Sequence, residues 1–119
     1  MTFEPDDELF KWLPPLAVNA DGTVNSAAYK LDKKPNPEPS LDLGRKTNGP
    51  YDALARAPKP GYGIGSITVK DIRDCGCDVE YRPEGGNDAH CVILGNKDRA
   101  TARALAEKTK VIIDPVKVS

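Results

Sequence analysis

The residues of this 119-residue chain best suited to chemistry fall between Ile72 and Asn96, IRDCGCDVEYRPEGGNDAHCVILGN, which holds its one histidine and all three of its cysteines. Cys75, Cys77, His90 and Cys91 are nitrogen and sulfur ligands of the kind zinc takes. Their spacing opposes a shared site. A Cys-x-Cys pair at a helix-to-strand junction does not aim both thiols at one point, and adjacent His90 and Cys91 on a strand face opposite sides. The cysteines read instead as small buried hydrophobes, and no metal and no cofactor is assigned. A nucleophilic cysteine needs an activated thiolate. Cys75 sits at the wrong end of a helix dipole for that, and Cys91 is flanked by apolar strand residues.

His90 has the stronger case, because it stands where the Gly85-Gly86-Asn87-Asp88 loop enters a strand, a place that often presents functional groups. An imidazole there can serve as general acid or base. Arg73 and Arg82 lie near it in sequence and can hold a phosphate or carboxylate by paired contacts. His90 and Arg73 are thus the candidate catalytic residues, with Ser26, Arg82 and Asn87 as candidate ligand-binding residues. The competing reading is that His90 and Asn87 only cap the turn and that the arginines are solvated. The glycines of GYGIGS, at 61–66, precede a short helix but lack both the Walker ending and the dinucleotide-binding spacing, so they read as positions where a strand bends or packs closely.

The elements that must position these groups follow from pattern. Tyr62 to Ile67 reads as a strand, Thr68 as the cap of a helix through Asp74, and Gly76 as its left-handed stop. Cys77 to Tyr81 and His90 to Leu94 read as a hairpin. Asn96 can cap a helix from Lys97 to about Thr109, in which Ala102, Leu105, Ala106 and Thr109 share a face, while Arg103 and Glu107 sit one turn apart on the exposed side. Val111 to Ile113 starts a last strand that Pro115 ends. The expected class is α+β: a single domain over residues 1–119 with a mixed or antiparallel sheet and two helices, ordered β-α-β-β-α-β in residues 62–114 like a ferredoxin-like split βαβ sheet.

The first half is less patterned. Residues 1–8 read as frayed, and Leu9 to Leu16 carry the only tryptophan and run into Pro14-Pro15, which stops regular structure. Thr23 to Leu31 reads as a strand. Residues 32–60, rich in proline and charge, read as a long surface loop in which Ser40 to Leu43 can form a short strand and Tyr51 to Ala57 a helical turn or two.

Composition bounds the partners. Lysine and arginine number 17 against 18 acids, for a net charge of −1, so nothing calls for nucleic acid or an anionic membrane as partner. No apolar run approaches the ~20 residues needed to cross a bilayer. An acidic start and an odd number of closely spaced cysteines fit a reducing, cytoplasmic setting.

Taken together, Val24-x-Ser26-Ala27-Ala28-Tyr29-Lys30, Ser40-Leu41, Val69 to Arg73, Asn87-Asp88-Ala89-His90-Cys91-Val92-Ile93-Leu94-Gly95 and the helix from Arg99 to Ala106 resemble a group of small uncharacterised bacterial proteins. In that group the expected segment is similar to N-P-A-H-A-x-I-x-G. Asp88 stands here in place of the proline and Cys91 in place of the alanine. The resemblance marks Ser26, Arg73, Asn87 and His90 and brings no named activity. Size and resemblance lead to the expectation of a small binding or interaction module with a protein partner or self-association, such as an accessory member of a bacterial two-gene defence or toxin–antitoxin-like pair. The alternative is a small enzyme acting on a phosphate-bearing substrate, a nucleotide or an RNA end, with His90 as its acid/base.

Overall fold

Alternation along Glu8–Leu13 sends Leu9, Lys11 and Leu13 to one side and Phe10 and Trp12 to the other, and this segment becomes strand β1 at the middle of the sheet. The computed structural model describes residues 1–30 and 38–116. After β1 come β2 (Ser40–Leu43), α1 (Pro50–Leu54), β3 (Gly63–Thr68), α2 (Val69–Asp74), β4 (Asp78–Tyr81), β5 (His90–Leu94), α3 (Arg99–Lys108) and β6 (Lys110–Ile113). The six strands are ordered β4-β5-β2-β1-β3-β6, and every neighbouring pair is antiparallel. The class is α+β, with three α-helices among the described residues rather than two, α1 being a short helix behind Pro50.

From β3 onward the β-α-β-β-α-β order is present, but its sheet is not the four-stranded one expected. In a split βαβ sheet the strands corresponding to β3 and β5 lie side by side. Here β1 and β2 are wedged between them, β1 pairing with β3 and β2 with β5. The central strand β1 falls in the stretch read as frayed and irregular. Its backbone is held by long-range pairing, and the residues before it are tied down: Arg45 donates to Asp7 at 3.0 Å and to the Thr2 carbonyl at 2.8 Å, and Lys70 N–H donates to the Pro5 carbonyl.

The strand expected over Thr23 to Leu31 is also corrected. Asn25 accepts from the Ala27 N–H and turns Ser26–Ala28 into a single 3-10 turn, a local side-chain bond that competes with a ladder. Among the described residues of this stretch, only Val24 makes a β-bridge, to Val18. Leu31 and the Asp32–Pro37 part of the expected loop lie outside the described residues. The remainder of that loop carries β2 and α1.

One face of the sheet buries Leu9, Leu13, Leu41, Leu43, Ile67, Cys91 and Ile93 under α2 and α3, with Tyr29 and Leu105 in the same core. Helix α3 starts at the Asp98 cap, which accepts from Thr101 N–H, two residues later than Asn96. The glycines of β3 serve packing. A side chain at Gly65 would come within 2.6 Å of Thr109, so only glycine lets the end of α3 lie this close to the strand. The second face holds a smaller cluster of Phe10, Ile64 and Ala53, where Trp12 donates its indole N–H to the Ala53 carbonyl at 2.8 Å. At the edge, the register between β3 and β6 shifts and leaves Ile112 as an extra, half-exposed residue, a bulge that blunts this edge against further pairing.

Candidate functional site

The alternation of β2 and β5 places Ser40, Asp42, His90 and Val92 on the second face, with Asp42 opposite His90 in register. The His90 ring is buried at 5% exposure. Its Nδ1 lies 2.7 Å from the Arg82 carbonyl, which can only accept, so Nδ1 carries the proton. Nε2 then faces the Ser40 hydroxyl at 3.0 Å, with Glu84 at 3.5 Å. Both ring nitrogens are occupied.

Its neighbours are occupied as well. Asn87 closes the loop by accepting from Ala89 N–H and donates to Asp42 Oδ1 at 2.8 Å. Asp42 is fully buried, and its second oxygen accepts from Arg56 Nη2 at 2.8 Å and Nε at 3.1 Å. Arg82 reaches both oxygens of Glu38, at 3.1 and 3.2 Å, and Glu80 at 2.9 Å. These hydrogen bonds, Glu38's first, hold its guanidinium above the usual arginine range. Among the described residues no buried side-chain nitrogen or oxygen lacks a partner.

The nominated residues do not form one site. His90, Arg82 and Asn87 share the 82–90 loop. Arg73 pairs instead with Asp78 at 3.2 Å, in a groove along β4 that also takes in residues 1–3. Ser26, moved off its expected strand, lines a different cleft. The cysteine thiols are all raised: burial is the first cause at each, and Cys91 is pushed up to about 12. A thiol held protonated is a poor nucleophile. Among the described residues no three His, Cys, Asp or Glu side chains are grouped to hold a metal ion, and no helix is long and apolar enough to cross a membrane.

The cleft that Ser26 lines encloses about 750 Å³, between the 19–26 loop on one side and α3 with the start of β6 on the other. Val24, Ala106 and Val111 supply apolar lining and Arg103 and Glu107 the charge, whereas Lys110 stands opposite Ser66 in register, so its side chain belongs to the second face. The loop wall is fixed from within. Asn19 donates to Thr23 Oγ1 at 3.0 Å, and Asn25 donates to the Leu16 carbonyl at 2.8 Å and to Asn19 at 3.0 Å. The walls are joined where Thr109 donates to the Leu105 carbonyl at 2.8 Å and so receives the Tyr29 hydroxyl at 2.6 Å. Unlike Arg45, Arg56, Arg73 and Arg82, neither Arg103 nor Lys110 pairs with a carboxylate among the described residues, and Glu107 pairs with no cation there. The Ser26 hydroxyl likewise makes no bond to a described residue.

Sequence reading passes over Ser40, Asp42 and the cleft charges. The Ser40-x-Asp42 alternation was available in the sequence, but the register that sets Asp42 against His90 was not. Arg103 and Glu107 read as a solvated pair because nothing local shows that the 19–26 loop folds over toward them. No family model, no curated protein and no solved structure matches this chain.

Proposed function

We propose that the protein is a binding module whose recognition surface is the cleft between the 19–26 loop and α3. One observation carries this reading: the polar groups around His90 are spent on one another, whereas Ser26, Arg103 and Glu107 line a cleft with no partner among the described residues. Uncommitted charge on a preformed concave surface is what recognition uses. On its size and its resemblance to the bacterial group, its partner class is a larger cytoplasmic protein, as in a two-gene defence or toxin–antitoxin-like arrangement. A photo-crosslinking residue placed at Arg103 in the full chain tests it, against the same residue at Arg82. Adducts from position 103 and none from 82 support the reading. Adducts from 82 alone overturn it.

An enzymatic alternative rests on the 3.0 Å contact between Ser40 and His90 Nε2, a nucleophile–base pair whose base is oriented by the Arg82 carbonyl. It favours hydrolytic attack by Ser40 over His90 acting alone on a phosphate-bearing substrate. Against it, neither residue lines any of the clefts described above. Labelling of Ser40 by a fluorophosphonate, lost in His90→Ala, would establish the enzyme and displace the binding module.

A further inference from the structure

The bend between β2 and α1 carries the one Asn-Gly step of the chain, Asn48-Gly49. An asparagine before glycine is open to attack by the next residue's backbone nitrogen, because glycine has no Cβ to crowd the five-membered ring that forms. Little in the fold blocks that attack here. Asn48 is exposed, and its side-chain amide makes no hydrogen bond to a described residue. Gly49 stands at φ 105, with nothing within 4 Å of where a Cβ would lie. Its N–H reaches only the Thr47 hydroxyl, at 3.2 Å, the long limit of such a bond.

The related Asp21-Gly22 step is closed. Gly22 N–H donates to the Asn19 carbonyl at 2.9 Å, and Asp21 Oδ1 accepts from the Thr23 hydroxyl at 2.5 Å and the Thr23 N–H at 3.0 Å. Those Thr23 bonds, the hydroxyl's first, hold the carboxyl below its usual range, so it stays ionised and is a poor electrophile. Asn19, Asn25 and Asn87 spend their side-chain amides on hydrogen bonds and precede residues bulkier than glycine.

We propose that Asn48 is a site of self-modification, deamidating through a cyclic imide to aspartate and isoaspartate. The Gly49 nitrogen gives its proton to water and bonds to Asn48 Cγ, the Cγ–Nδ2 bond breaks, and ammonia leaves. Water then opens the ring at either carbonyl. Opening at one restores the ordinary peptide link with aspartate at 48, and opening at the other routes the chain through the side chain as isoaspartate. Either product sets a new carboxylate beside Asp52, whose Oδ2 accepts from Asn48 N–H at 3.0 Å. Asp52 also receives Arg56 at 3.3 Å, and Arg56 holds the buried Asp42. Isoaspartate further adds one main-chain carbon at the entry to α1, whose Ala53 carbonyl takes the Trp12 indole. The change at 48 thus bears on the second face of the sheet.

The test holds the full chain at mildly alkaline pH, folded in buffer or unfolded in guanidinium chloride, and follows the tryptic peptide of residues 47–56 by electron-transfer mass spectrometry, which separates isoaspartate from aspartate. Residue 48 converts in the folded chain at a rate within about tenfold of the unfolded one, and folding slows Asp21 isomerisation by more than about tenfold. An isoaspartyl methyltransferase with S-adenosylmethionine labels the aged folded chain but not aged Asn48→Gln, in which the ring would need six members. A slowing of residue 48 by more than about tenfold on folding, faster conversion at any other asparagine, or equal labelling of Asn48→Gln overturns the proposal.

Discussion

The surroundings of His90 and the cleft at Ser26 are built from similar residue types and differ in what those residues face. Around His90, Asp42 sits fully buried between Asn87 and Arg56, and Arg82 lies between two glutamates. In the cleft, Arg103 and Glu107 are an i,i+4 pair in the less favourable order, arginine first, and they do not meet. The first region uses charge to close a turn against the sheet. The second leaves charge available. A histidine beside two arginines in a sequence therefore says little about function until their partners are known.

The comparison breaks most readily at Asp42. Asp42→Ala leaves Arg56 and Asn87 without their buried acceptor and should cost about 3–5 kcal/mol in urea unfolding, whereas Arg103→Gln should cost less than about 0.5 kcal/mol. Similar costs at the two regions would mean that the division between them is wrong. Lys11 gives a second measure of commitment, since its ammonium is buried over the Tyr29 ring, 5.9 Å from the centroid, with the Trp12 carbonyl at 3.3 Å its one acceptor among the described residues. Burial lowers its pKa to about 8 from 10.5. Between those values the unfolded chain holds a proton on this group that the folded chain has released, so Lys11 contributes stability that rises with pH across that window, opposed from about pH 9 by the thiols that burial raises. Lys11→Met should add up to ~3 kcal/mol at pH 7, a gain over wild type that shrinks between pH 8 and 10.5. A gain over wild type that does not change with pH would remove the buried ammonium from the account.

His90→Ala should cost about 2 kcal/mol, because the Arg82 carbonyl and the Ser40 hydroxyl both lose their partner. A cost near zero would free His90 for the catalytic role. The smallest effect is expected at Arg73, whose pairing with Asp78 is largely exposed. Arg73→Gln should change stability by less than about 0.5 kcal/mol, and a larger loss would show that the groove along β4 is structural.

The second half of the fold was legible because its signals are local. Thr68, Gly76 and the Ala102, Leu105, Ala106 stripe each act within a turn or two, and His90 to Leu94 is a strand with those very ends. What escaped was set at long range. β1 owes its regularity to β2 and β3, and the 3-10 turn at Ser26 overrode an alternating pattern through one Asn25 bond. The site was legible in part for the same reason. Ser26 was singled out, but its cleft depends on Tyr29 reaching Thr109, far along the chain.

The wedge of β1 and β2 has a kinetic consequence. Leu9 must find Ile67 and Leu41 must find Cys91 before β3 and β5 have anything to pair with on their inner edges. Neither βαβ half can complete the sheet by itself, and the loops to be closed are long. Folding should therefore run in milliseconds to seconds, as for chains dominated by distant pairings, although its helices are local and fast.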